Sequence, residues 1–159
     1  MAVSPFRRRA ALLLGGLRPP PAAPRPSREV QARALLAVLE EAVAAQRPAD
    51  AAVAACGEPG PVPGRVARDC GDAASALLHL RARLRDVPLT EPDLVEARAY
   101  AGRLLDYGQW MVHQSANLAF TVHPDARTEA ARRQLNGLGR PADDLRRLLD
   151  ALRAREDPP

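Results

Sequence analysis

No proline interrupts this chain between Pro92 and Pro124, although prolines and glycines punctuate it almost everywhere else. Proline fixes φ and has no amide hydrogen, so it marks where regular structure starts, bends or stops. The open stretch predicts one helix of about thirty residues, on the order of 45 Å long at 1.5 Å per residue. A helix of that length sets the long dimension of any domain built around it. Ala, Leu and Arg dominate the rest of the chain, Lys is absent, and only five of 159 residues are aromatic. That composition favours helix over sheet.

The remaining breakers divide the chain into further helical segments. Ser27 is placed to cap a helix over 28–46, with Val30, Ala34, Ala37, Val38 and Glu41 at helical spacing and Leu35, Leu36 and Leu39 widening the stripe. Pro48 is expected to end it, leaving two alanine-rich turns over 49–56 before the loop GEPGPVPG. Helical periodicity resumes over 65–87, where Val66, Cys70, Ala73, Ala74, Leu77, Leu80 and Leu84 face one way, and Pro88 stops it. Thr90 and Asp93 have the spacing of a capping box at the start of the long helix, with Pro92 in its first turn. A helix over 125–138 with Gly137 in the left-handed conformation, and a last one from Pro141 carrying Leu145, Leu148, Leu149 and Leu152, complete the pattern. The fold class expected is all-α: an antiparallel helical bundle of four main helices plus one or two short ones, over residues 28–156.

The net charge of +4 is uneven. Residues 1–28 hold six Arg and no acid, leaving 17 Arg against 19 acids in the body. A slightly acidic body has no electrostatic reason to seek phosphate, and no zinc-finger, helix-turn-helix or aromatic RNA-binding pattern is present, so nucleic-acid binding by the folded body is not expected. The order of Arg7, Arg8 and Arg9 before Ala10, Leu12 to Leu14 and Leu17 resembles the start of a twin-arginine export signal. That resemblance implies an exported protein as the alternative to a cytoplasmic one. Arg18 and Pro19 to Pro21 close the apolar run after eight residues, whereas a bilayer needs about 20. The reading taken is a disordered, basic, proline-rich tail over 1–27 that touches anionic surfaces weakly, with no transmembrane segment.

The window DYGQWMVHQSANLAF concentrates the unusual residues. At 100° per residue Tyr100, Leu104, Tyr107, Met111, Leu118 and Val122 share a face that reads as core. A second stripe, Asp106, Trp110, His113, Asn117 and Phe120, is rotated from it by roughly 110°, and Leu105, Val112, Ala116 and Ala119 fill a third side. On a central helix such polar groups need partners, because a buried unpaired polar atom costs about 1 to 3 kcal/mol. Either a hydrogen-bonded network fixes register, with His113 bonded to Asp106 or to a neighbouring helix, or the stripe lines a ligand site walled by Trp110 and Phe120. The network is the reading taken, and Asp106, Trp110, His113, Asn117 and Phe120 are the candidate ligand-binding residues.

Specific chemistry finds little support. Cys70, His79 and His113 are the one conceivable metal set, without ligand-spaced motifs, and no metal or other cofactor is expected. No nucleophile sits beside a base and no phosphate loop is present, so the chain does not read as an enzyme. Cys56 and Cys70 bracket the proline-glycine loop at a spacing that permits a disulfide, and compartment decides whether it forms; reduced thiols are expected. The function read from the sequence is a non-catalytic helical protein acting through contact with a protein partner or a second copy of itself.

Overall fold

The computed structural model describes residues 26–156. The arginine cluster, the short apolar run and most of the prolines of the amino-terminal tail lie outside those residues. Five helices follow one another: α1 (Arg28–Gly57), α2 (Gly64–Asp86), α3 (Pro92–Ala119), α4 (Ala126–Arg132) and α5 (Arg140–Glu156). Four are long and α4 is a single short one of 7 residues. Among the described residues there is no strand, and no helix is long and apolar enough to cross a membrane.

The long helices form an antiparallel bundle. α1 and α3 run parallel at its centre, and α2 and α5 each pack on both of them in the opposite direction. Ion pairs across the seams record those directions. Arg28 at the start of α1 reaches Asp93 at the start of α3 at 2.8 Å and Glu156 at the end of α5; Arg83 of α2 grips Glu41 of α1; Arg153 of α5 meets Glu40 of α1 at 2.7 Å. Apart from half-buried Glu156 their side chains are exposed, where water weakens an ion pair, so these pairs mark register more than they hold it. The core itself is aliphatic, built on Leu35, Leu39, Leu77, Leu84, Leu105 and Leu145 among many alanines.

Sequence and structure agree most closely on α2, whose buried residues are the seven expected. Ser27 caps α1, its hydroxyl accepting from the Val30 amide. Gly137 has φ +125°, and Asp50 accepts from the Leu138 amide at 2.7 Å beside it, so the turn into α5 is tied to α1. Leu145, Leu149 and Leu152 bury the apolar stripe of α5 against the bundle.

Four expectations are corrected. Pro48 does not end α1, which runs on to Gly57. An interior proline costs about 3 kcal/mol, and the burial of Ala49, Ala52, Val53 and Cys56 beyond it offsets that cost. The two alanine-rich turns are therefore the second part of α1. The capping box at α3 does not form: Glu91 is the N-cap without a side-chain bond. Thr90 is engaged instead by buried Gln31, whose Oε1 accepts from the Thr90 amide at 2.6 Å and whose Nε2 donates to the Thr90 hydroxyl at 3.0 Å and the Pro26 carbonyl at 2.9 Å. Asp93 is held by Arg28. The helix over 125–138 is only the short α4, capped by Asp125 accepting from the Thr128 amide at 2.7 Å. Beyond Arg132 the chain turns, with Arg132 and Leu135 lying against the end of α1.

The fourth correction is the face of α3. Its buried residues are Leu94, Ala97, Ala101, Gly102, Leu105, Gly108, Val112 and Ser115. Tyr100, Tyr107 and Val122, assigned to the core by bulk, are exposed, and Leu104, Met111 and Leu118 are half-buried. Close helix packing on small side chains is the physical reason. At Gly108 an added Cβ would already be in van der Waals contact with Leu77 of α2, 3.5 Å from its Cδ1.

Candidate interaction surface on the third helix

Because α3 turns its small residues inward, it turns its large ones outward. Tyr100 is 36% exposed, Tyr107 41%, Trp110 53% and Phe120 39%, so every aromatic side chain of the described residues lies at the surface, on this helix or at its C-cap. Tyr100, Tyr107 and Trp110 sit at i, i+7 and i+10, which at the helical period places them along one outward strip. Tyr107 and Trp110 touch, their ring centres 5.6 Å apart and their planes inclined by 41°. The Arg103 guanidinium lies 5.5 Å from the centre of the Tyr100 ring. An aromatic pair of this kind contributes about 0.5 to 1.5 kcal/mol.

The five residues singled out as a candidate ligand site lie on one exposed flank of the same helix. Arg81 of α2 donates to Asp106 at 2.9 Å. His113 Nδ1 donates to the Gln109 carbonyl one turn earlier, at 3.0 Å, and the Thr121 hydroxyl donates to the Asn117 carbonyl at 2.8 Å. Asp106 and His113 thus find partners other than each other, and Trp110 and Phe120 are open to solvent. A protein surface can lie along such a strip. A small molecule would have a wall on one side only.

Concave surface is found elsewhere. A groove of about 610 Å³ lies between the second half of α1 and the first half of α2, floored by Ala51, Ala55, Ala73 and Ala76 with Asp69 and Asp72 at its edge. A smaller one of about 340 Å³ borders Tyr100 where α3 meets α5, lined also by Asp93, Glu96 and Arg103. Among the described residues no three of His, Cys, Asp and Glu gather as metal ligands, so Cys70, His79 and His113 are not brought together.

One arrangement had no local signal in the sequence. Arg132 of α4 is buried, and its guanidinium donates to the carbonyls of Cys56 at 3.0 Å, Glu58 at 2.6 Å and Gly60 at 3.4 Å, with Glu129 as its counter-ion at 3.1 Å. The last carbonyls of a helix have no intrahelical donors and carry partial negative charge. Arg132 supplies donors and charge together, from a segment more than seventy residues away in the chain.

The chain matches no protein-family model, no curated protein and no solved structure.

Proposed function

We propose that this chain is a non-catalytic module that acts through protein–protein contact, with the outward strip of α3 as its contact surface. The observation that carries the reading is the placement of Tyr100, Tyr107, Trp110 and Phe120 outside a core made of aliphatic side chains. Aromatic side chains offer the largest apolar area of any residue and are enriched where proteins meet, with tryptophan and tyrosine over-represented among the residues that dominate binding. Half-buried Met111 and Leu118 extend the apolar centre, and Arg103, Asp106 and His113 supply a polar border. Anchors spaced along a helix face are one of the recurring ways in which a helix is read by a partner. We place the function in the cytoplasm, the compartment read from the sequence.

The test is site-specific photo-cross-linking in the host. A photoreactive amino acid is placed at Trp110 and, as a control, at exposed Arg68 of α2. The expected result is one dominant adduct at position 110, to a single partner or to a second copy, lost in a Tyr107→Ala background that keeps its helical circular dichroism. No adduct at 110, or the same pattern at both positions, would refute the assignment of the strip.

A further inference from the structure

Cys56 and Cys70 come from opposite sides of the proline-glycine loop, near the end of α1 and in the second turn of α2. The hairpin brings the two sulfurs to 3.6 Å, with both residues buried at 0% and 3% exposure. Cys70 Sγ also lies 3.9 Å from the Ala52 carbonyl, so each side chain is confined between the same two helices. We propose that Cys56 and Cys70 are a disulfide-forming site, oxidised by low-molecular-weight disulfides, and that the resulting bridge is a covalent staple across the α1–α2 hairpin.

The geometry asks for little movement. A disulfide needs its sulfurs about 2.05 Å apart and β-carbons about 3.5 to 4.5 Å apart. Closing the remaining gap brings the sulfurs about 1.5 Å nearer each other, on helices already in contact. The chemistry balances as two exchanges. The Cys70 sulfur, having given up its proton, attacks one sulfur of the small disulfide, whose S–S bond breaks and releases one thiolate. The deprotonated Cys56 sulfur then attacks the mixed disulfide at the Cys70 sulfur and releases the second thiolate. The two cysteine protons end on the two released thiols, and the small disulfide takes up the two electrons lost by the pair.

Access controls the rate. Burial pushes the Cys56 thiol up to about 12, Cys70 adding to the rise, and burial raises Cys70 as well. Few thiolates are present at neutral pH, and no sulfur is at the surface, so exchange waits for the end of the hairpin to open. Arg132 governs that opening, since its guanidinium holds the carbonyls of Cys56, Glu58 and Gly60. The pair is thus slow to oxidise in the closed bundle and protected once bridged. The two helices that the bridge would tie are also the walls of the alanine-lined groove.

The experiment uses the full chain, folded, in a buffer poised with glutathione disulfide and, in parallel, in reducing buffer. After equilibration the protein is denatured in acid, alkylated and weighed. The expected product has lost two mass units (two hydrogens), takes up no alkyl group, carries no glutathione, and melts about 10 °C higher than the reduced form, as a loop of about fifteen residues should. Cys70→Ala should abolish both the mass change and the rise in melting temperature. Three results would overturn the proposal: both thiols still alkylated after equilibration under which the urea-unfolded chain does oxidise, glutathione retained on either cysteine as the end product, or a bridge between two chains.

Discussion

Replacing Arg132 with Met tests what holds the end of the bundle together. Methionine keeps the apolar stem and removes the guanidinium, leaving the Cys56 and Glu58 carbonyls without the donors that meet them at 3.0 and 2.6 Å. A hydrogen bond from a charged donor contributes about 1.5 kcal/mol at the low end of its range, so two sum to about 3 kcal/mol. The contact to Gly60 at 3.4 Å adds little, and the Glu129 pair is discounted because that carboxylate is 33% exposed and can return to water. About 3 kcal/mol is a large part of a total that is typically 5 to 15. Urea titration followed by far-ultraviolet circular dichroism should show this loss at unchanged slope, with a fall in melting temperature of about 10 °C. The neighbouring Arg133→Met, whose side chain is 67% exposed and 3.9 Å from Glu129, should stay within about 0.5 kcal/mol of the parent. A loss under about 1 kcal/mol for Arg132→Met, or equal losses for the two variants, would refute the account of Arg132 as the donor that terminates α1.

Three further substitution and titration experiments follow from the same structure. Gly71→Ala, at an open position on α2, should stabilise by about 0.5 to 1 kcal/mol, whereas Gly57→Ala would drive its Cβ to 2.2 Å from the Leu135 carbonyl oxygen and should destabilise; thermal melts of the pair give both signs. The Ser115 hydroxyl is buried with no hydrogen-bond partner among the described residues, so Ser115→Ala should be neutral or stabilising by up to about 1 kcal/mol in a urea titration. The raised Cys56 thiol means that the folded state holds a proton the unfolded chain releases from about pH 8.5 upward. Its contribution is complete below that pH and is lost as pH climbs toward about 12. Melting temperature should therefore fall through the alkaline range, less steeply in a Cys56→Ala variant.

What could be read from the sequence depended on whether bulk and burial coincide. On α2 they largely do: Val66, Leu77, Leu80 and Leu84 pack with the small Cys70, Ala73 and Ala74 among them, Leu78 is the exposed exception, and spacing made the stripe legible in full. On α3 they part. Leu94, Ala97, Ala101, Leu105, Gly108, Val112 and Ser115 repeat at steps of three or four, a seam that spacing alone could have revealed, but the heavier tyrosines drew the assignment to the wrong side. The five candidate site residues fall on one flank, and the solvent around them could not be inferred from a single helix. Pro48 and Thr90 had the local chemistry of a stop and a cap; distant partners overrode both, burial on α2 in one case and Gln31 in the other. Arg132 had no signal at all, because its meaning lies in carbonyls that the fold alone brings to it.

The aliphatic core has a consequence for how this protein looks to a spectrometer. Ellipticity in the near ultraviolet comes from aromatic rings held in asymmetric surroundings, and here the described rings stand half in water on one helix. The native bundle should therefore give a faint near-ultraviolet spectrum beside a strong helical one, the pair of observations ordinarily taken to diagnose a molten globule. For this chain that signature would describe a tightly packed protein whose chromophores are on the outside. Light absorbed by the described rings reports on what touches α3, and the order of the interior has to be followed through its amides and methyl groups.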